Sequence, residues 1–213
     1  MAWLRAARYL SLFCGLAVAG AAFQARSPLE VIRLSNQEIL DTYAGSDTID
    51  EATEARVFDI MNNVTSFESL AAGAIDSFCE RMDPAECAEF QDAFIELLRI
   101  SSVKRLGRYR AASFEYIAEA ITEDTAVVET TAIYEGDEVE LDYHFGLVDG
   151  RWMIVNYVLD GIDTVWNYRK QFTRLLRRET VAEVIDRLRR RIAEYEREAG
   201  VAAPRESRSR ARE

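Results

Sequence analysis

Residues 138–160, EVELDYHFGLVDGRWMIVNYVLD, constrain the fold more than any other stretch of the chain. Two runs rich in aromatic and aliphatic residues flank Asp149-Gly150. An Asp-Gly link between such runs is a strong hairpin signal, because the tight turn needs positive φ at both of its residues. The turn predicts a register in which Leu147 faces Trp152, Phe145 faces Ile154, Tyr143 faces Asn156 and Leu141 faces Val158. Together with Val139 these residues make a nearly all-apolar face. The opposite face carries Glu138, Glu140, Asp142 and His144 on one strand, and Met153, Val155, Tyr157 and Leu159 on the other. The second strand is therefore apolar on both sides, which a half-solvated strand is not. One side joins an aromatic wall; the other is expected to meet a helix or partner strands.

Helices are expected on either side of this hairpin. Leu29, Ile32, Ile39, Leu40 and Tyr43 recur at helical spacing over 29–44. GSDTID forms a turn, and a second helix covers 51–62. Thr65 with Glu68 three residues on reads as a capping box, opening a helix to about residue 80. Asp83 as N-cap, Pro84 at the first helical position and Glu86 open another, which carries Phe90, Phe94, Leu97, Leu98 and Ile100 to about Arg108. The period then changes to that of strands, at 113–122, 125–134, 138–148 and 151–160, joined by links short enough for an antiparallel meander. A helix over about 162–178 follows, with a stripe of Ile162, Val165, Tyr168, Phe172 and Leu175. The last spans about 180–198. N-terminal helices, a four-stranded antiparallel meander and C-terminal helices predict an α+β fold.

At 213 residues, 49% hydrophobic and 30% charged, the chain suits one globular domain with appendages. The first appendage begins MAWLRAARYLSLFCGLAVAGAAFQ, with Arg5 and Arg8 before an uncharged run from Tyr9 to Phe23. That is the build of a secretory signal peptide, expected over 1–22. The run is shorter than the roughly 18 residues of a membrane-spanning helix. Phe13 before Cys14 does not suit a lipoprotein site, so the mature protein is expected to be soluble and exported. At the other end 199–213 is polar and Arg-rich, and is expected to be a disordered tail.

Cys79 and Cys87 stand four residues to either side of Asp83 in FCERMDPAEC. Two antiparallel helices joined there would bring them level, and an oxidising compartment would let them pair. The alternative is two small buried apolar residues. Their spacing fits neither a CxxC redox motif nor a zinc site.

Charge is unevenly spread. Residues 1–168 hold 12 basic and 29 acidic residues, and residues 169–213 hold 14 and 8. An acidic body argues against nucleic acid as a partner. His144 is the sole histidine, so a triad or a Cys-His pair would have to use it. No phosphate-binding loop, dinucleotide fingerprint or HExxH occurs. No catalytic residue, metal or cofactor is expected. The alternative is a pocket enzyme with His144 and Asp142 as acid and base, although the register turns His144 away from the aromatic face.

The run VELDYHFGLVDGRWMIVNYVLDGIDTVWNYRKQFTRLLRRETVAEVIDRLRRRI resembles the MlaC family of toluene-tolerance auxiliary proteins. The matching elements are Asp142-Tyr143, DGRW at 149–152, Gly161-Ile162, NYRKQF at 167–172 and a final helix ending in DRLRRRI. FESLAAGAIDSF before DPAECAEFQDAFIELL also matches the family's helix, turn and helix, so the likeness covers about 28–196.

The resemblance implies a periplasmic phospholipid carrier of an ABC-type transport system that maintains outer-membrane lipid asymmetry. The domain, at 28–198, would have an NTF2-like cone shape enclosing an apolar pocket. The implied partners are phospholipid, an inner-membrane ABC transporter complex with an MCE-type protein, and an outer-membrane lipoprotein complex. Val139, Leu141, Tyr143, Phe145, Trp152, Ile154 and Val158 of the sheet would line the pocket, with Val165, Tyr168, Phe172 and Leu175 of the helix. Arg169 and Lys170 flank that helix stripe, near a head group, a partner or solvent.

Overall fold

Three two-residue turns build the sheet. In this computed structural model, which describes residues 26–44, 50–108 and 112–199, Glu135-Gly136, Asp149-Gly150 and Asp160-Gly161 all take positive φ. Tight hairpins require that conformation, and glycine reaches it without a Cβ clash. The turns join β2 (Thr125–Tyr134), β3 (Asp137–Val148), β4 (Arg151–Leu159) and β5 (Ile162–Asp163). With β1 (Ser113–Ile121) these form one antiparallel meander in the order β1-β2-β3-β4-β5. The α+β class is as expected, but the sheet has five strands rather than four. Ile162 belongs to β5 and is 57% exposed, not part of a helical stripe.

The Asp149-Gly150 turn sets the register for four residue pairs. Leu147 faces Trp152 and Phe145 faces Ile154, as the sequence predicts. A bulge then inserts Val155, and beyond it the expected pairs fail: Tyr143 faces Tyr157, Asp142 faces Val158 and Leu141 faces Leu159. A bulge moves every later residue to the other face. Tyr157 and Leu159 thereby join the aromatic wall, while Asn156 and Val158 leave it. Gly146 makes room for the inserted residue, since a Cβ there would sit 3.2 Å from a Val155 methyl.

Among the described residues there are six helices, α1 (Pro28–Ala44), α2 (Glu51–Val64), α3 (Phe67–Cys79), α4 (Pro84–Arg108), α5 (Thr164–Leu175) and α6 (Val181–Ala199), of which α1, α2, α3 and α5 pack on the sheet. The α3 cap differs from expectation by one residue. Ser66 accepts from the Ser69 amide at 3.2 Å, Thr65 bridges to Ile154, and Glu68 pairs with Arg99. At α4, Asp83 accepts from the Ala85 amide at 2.8 Å, as Asp-Pro predicts. A capping box not among the sequence-based expectations opens α6: the Glu183 carboxylate accepts from the Thr180 amide at 2.7 Å, and the Thr180 hydroxyl accepts from the Glu183 amide at 3.3 Å. Cys79 and Cys87 form a disulfide across the α3–α4 turn, with 5.1 Å between their Cα atoms. The expected signal peptide, the GSDTI part of the turn before α2 and the tail beyond residue 199 lie outside the described residues.

Candidate functional site

The predicted lining residues fall into two neighbouring apolar clusters. On the sheet, Tyr143, Phe145 and Ile154 are buried with Ala126, Val128 and Ile32 of α1, and Leu141 and Trp152 pack at their edge. Among the helices, Phe172 is buried with residues of α3, α4 and α6, and Val165, Tyr168 and Leu175 pack against that group. The Phe172 ring meets Phe90 at 4.9 Å and Phe94 at 4.8 Å, both edge-on, and Tyr168 meets Phe94 at 5.0 Å. Such contacts are favourable for aromatic quadrupoles. Thus α5 closes on α3 and α4 rather than over the Trp152 wall. Two predicted residues stand apart: Val139 is half-buried opposite Ala132, and Val158 lies between Asp142 and Asp163 on the other face.

A seam joins the clusters along β4 and the α2–α3 corner. Ile154 belongs to the sheet cluster, and Tyr157 packs on the helical one. Likewise Val64 packs on the sheet cluster, whereas Phe67 is buried in the helical one. The Ser66 amide donates to the Ile154 carbonyl at 2.9 Å, which holds the corner to the strand. Leu141, Trp152, Val64, Tyr157, Val165 and Tyr168 along this seam are only partly buried. Tyr157, Val64, Phe67 and Ile32 were not expected at the site. Tyr157 was hidden by the bulge, and which helix covers a sheet is a tertiary choice.

Polar groups in the wall are few and mutually satisfied. The Asn36 carboxamide donates to the Tyr116 hydroxyl at 3.2 Å and also bonds Tyr143. Burial pushes the Tyr143 phenol well above its usual range, so it stays neutral at all ordinary pH values. No group of three or more potential metal ligands occurs among the described residues. His144 faces Val127 and Asn156, and Asp142 faces Glu129 and Val158, on the side of the sheet opposite Tyr143 and Phe145.

The start of α5 is fastened to the sheet. Asp163 accepts from the Trp166 amide at 2.7 Å, while Asn156 donates to Asp163 at 2.9 Å and accepts from the Val165 amide at 3.2 Å. Gly73 of α3 lets α5 approach closely, since a Cβ there would lie 3.1 Å from a Val165 methyl. The Arg169 guanidinium donates to the Gly73 carbonyl, so Arg169 ties α5 to α3.

A helical layer packed on a five-stranded antiparallel meander, with a largely apolar interior, makes this an α+β domain. A family model described as MlaC protein matches residues 35–190. The chain belongs to the MlaC family. Among solved structures, it is similar to a phospholipid-binding protein from Ralstonia solanacearum, determined in complex with a phospholipid. The identity is 20%, the match covers 78% of this chain and 96% of that one, and the TM-score is 0.66, so the likeness is one of fold. No curated protein matches the sequence.

Proposed function

We propose that this protein is a periplasmic, non-enzymatic phospholipid carrier that takes acyl chains along the seam between its two apolar clusters. The observation that carries the reading is that seam: half-buried apolar side chains on β3, β4, α2 and α5 between two packed clusters. Opening it separates two groups that are each well packed, so chains can enter without unfolding either. A buried methylene is worth about 0.8 kcal/mol, so a full acyl chain in water costs on the order of 10 kcal/mol. Side chains without directional anchors match that cost and tolerate different chain lengths. Membership of the MlaC family and the fold shared with a phospholipid-binding protein support the same reading. His144 and Asp142, turned from the wall, favour a carrier over an acid–base enzyme.

In this reading residues 1–22 direct export, 28–198 form the carrier and 199–213 are a basic tail. Its partners are an inner-membrane ABC transporter complex with an MCE-type protein and an outer-membrane lipoprotein complex, in a system that preserves outer-membrane lipid asymmetry. Organic extraction of the purified protein followed by mass spectrometry tests the proposal. Phospholipid in near-stoichiometric amount is expected. Its absence, together with no uptake from vesicles, would refute the carrier.

A further inference from the structure

Two segments of the chain carry charge of one sign only. Residues 112–148, spanning β1 to β3, contain ten Asp and Glu and no Lys or Arg. Residues 164–178, which are α5 and the turn after it, contain five Lys and Arg and no Asp or Glu. Because the sheet runs in simple order from β1 to β5, and α5 follows β5, the two segments lie toward opposite ends of the sheet.

The basic segment also has apolar features that a solvated helix face does not need. At the start of α5, Trp166 is 55% exposed with the Lys170 ammonium 4.0 Å from its ring centroid. At the end of α5, an open groove of about 470 Å³ has a floor of Phe78, Met82, Leu176 and Val181, with Arg81 and Arg177 at its side. Arg177 also borders an adjoining hollow of about 350 Å³ with Arg174 and Arg178. The acid in both, Glu179, is engaged by Arg187 at 2.7 Å. The Arg174, Arg177 and Arg178 side chains have no ion pair or hydrogen bond among the described residues.

We propose that α5 and the α5–α6 turn form a docking surface for an anionic phospholipid bilayer. This rests on the carrier reading and adds where such a carrier meets its lipid source. Unpaired guanidinium groups bind phosphates, Trp166 inserts at head-group depth, and the groove floor accepts apolar lipid atoms. The acidic β1–β3 segment is repelled by the same surface, so the protein docks in one orientation. A protein partner would also cover the tryptophan and the groove floor; the bilayer is chosen because the unpaired arginines match a surface of phosphates, and vesicle binding separates the two.

The test is co-sedimentation of the purified protein with phosphatidylcholine vesicles, with and without phosphatidylglycerol, at two salt concentrations. Arg174→Gln/Arg177→Gln/Arg178→Gln and Trp166→Ala are compared with the parent, and circular dichroism melts confirm folding. The parent is expected to bind only the anionic vesicles, and less in high salt. Each Lys or Arg near such a surface is worth about a factor of five, so the triple variant should bind about 100-fold more weakly. Lipid extracted from the triple variant should match the parent, because these arginines lie outside the seam. A parent that stays in the supernatant, or a triple variant that binds equally well, would overturn the proposal and point to an acidic protein partner. Vesicle binding by a protein that holds no extractable lipid would uphold the docking surface and count against the carrier reading instead.

Discussion

At the residue scale, two side chains set measurable conditions on stability. Asn156 binds both Asp163 and the Val165 amide, and so joins β4 to the first turn of α5. Asn156→Ala removes both bonds and should cost about 1–2 kcal/mol, as loss of a helix cap typically does. In a domain of this size that lowers Tm by roughly 3–6 °C, readable by calorimetry; an unchanged Tm would contradict the capping role. Tyr43 is buried, and its hydroxyl has no hydrogen-bond partner among the described residues. Burial, with a smaller effect of Glu54, pushes its phenol from 10.0 up to about 12. The folded pKa lies above the unfolded one, so this contribution is complete below about pH 10 and is lost as pH rises towards 12. Denaturant titrations across that range should show stability falling, and Tyr43→Phe should lessen the fall at no cost near neutral pH. An equal fall in both proteins would contradict the assignment.

At the scale of elements, the clearest test concerns the turn between α3 and α4. The Cys79–Cys87 disulfide closes a short loop, and constraining the unfolded chain in this way is worth about 2–3 kcal/mol. Cys79→Ser/Cys87→Ser should therefore unfold at lower denaturant with a similar m-value, and reducing agent should shift the parent to the same midpoint. If neither treatment moves the midpoint, the bridge is not what holds the turn. Elements were legible wherever a local signal specified them. Asp83-Pro84 marked the start of α4, and Asp149-Gly150 set the hairpin. The same dipeptide at 160–161 makes a third hairpin turn, yet Ile162 also falls three residues before Val165 on the helical stripe. With only two residues in β5, periodicity could not separate a strand from a helix start. Counting outward from the turn assumes an unbroken ladder, so the bulge at Val155 carried Tyr143 and Leu141 away from their expected partners. Phe172 was expected to line a pocket; it is buried in the helical cluster, where its partners Phe90 and Phe94 depend on how α4 and α5 cross.

At the scale of the whole molecule, the proposed carrier would have to open without unfolding, and the two clusters are arranged for that. The helical cluster is braced by α3, α4, α5 and α6, while the sheet cluster is covered by α1. Between them, Val64 and Tyr157 touch one cluster each, so separation there exposes apolar surface on both sides at once. Lipid chains would refill that surface. The central claim is tested most directly by incubating delipidated protein with vesicles of labelled phospholipid, re-isolating it and counting lipid per protein. The carrier account predicts saturable uptake approaching one phospholipid per protein, with the label passing on to unlabelled acceptor vesicles. Protein that emerges without label, at every vesicle concentration, would contradict it.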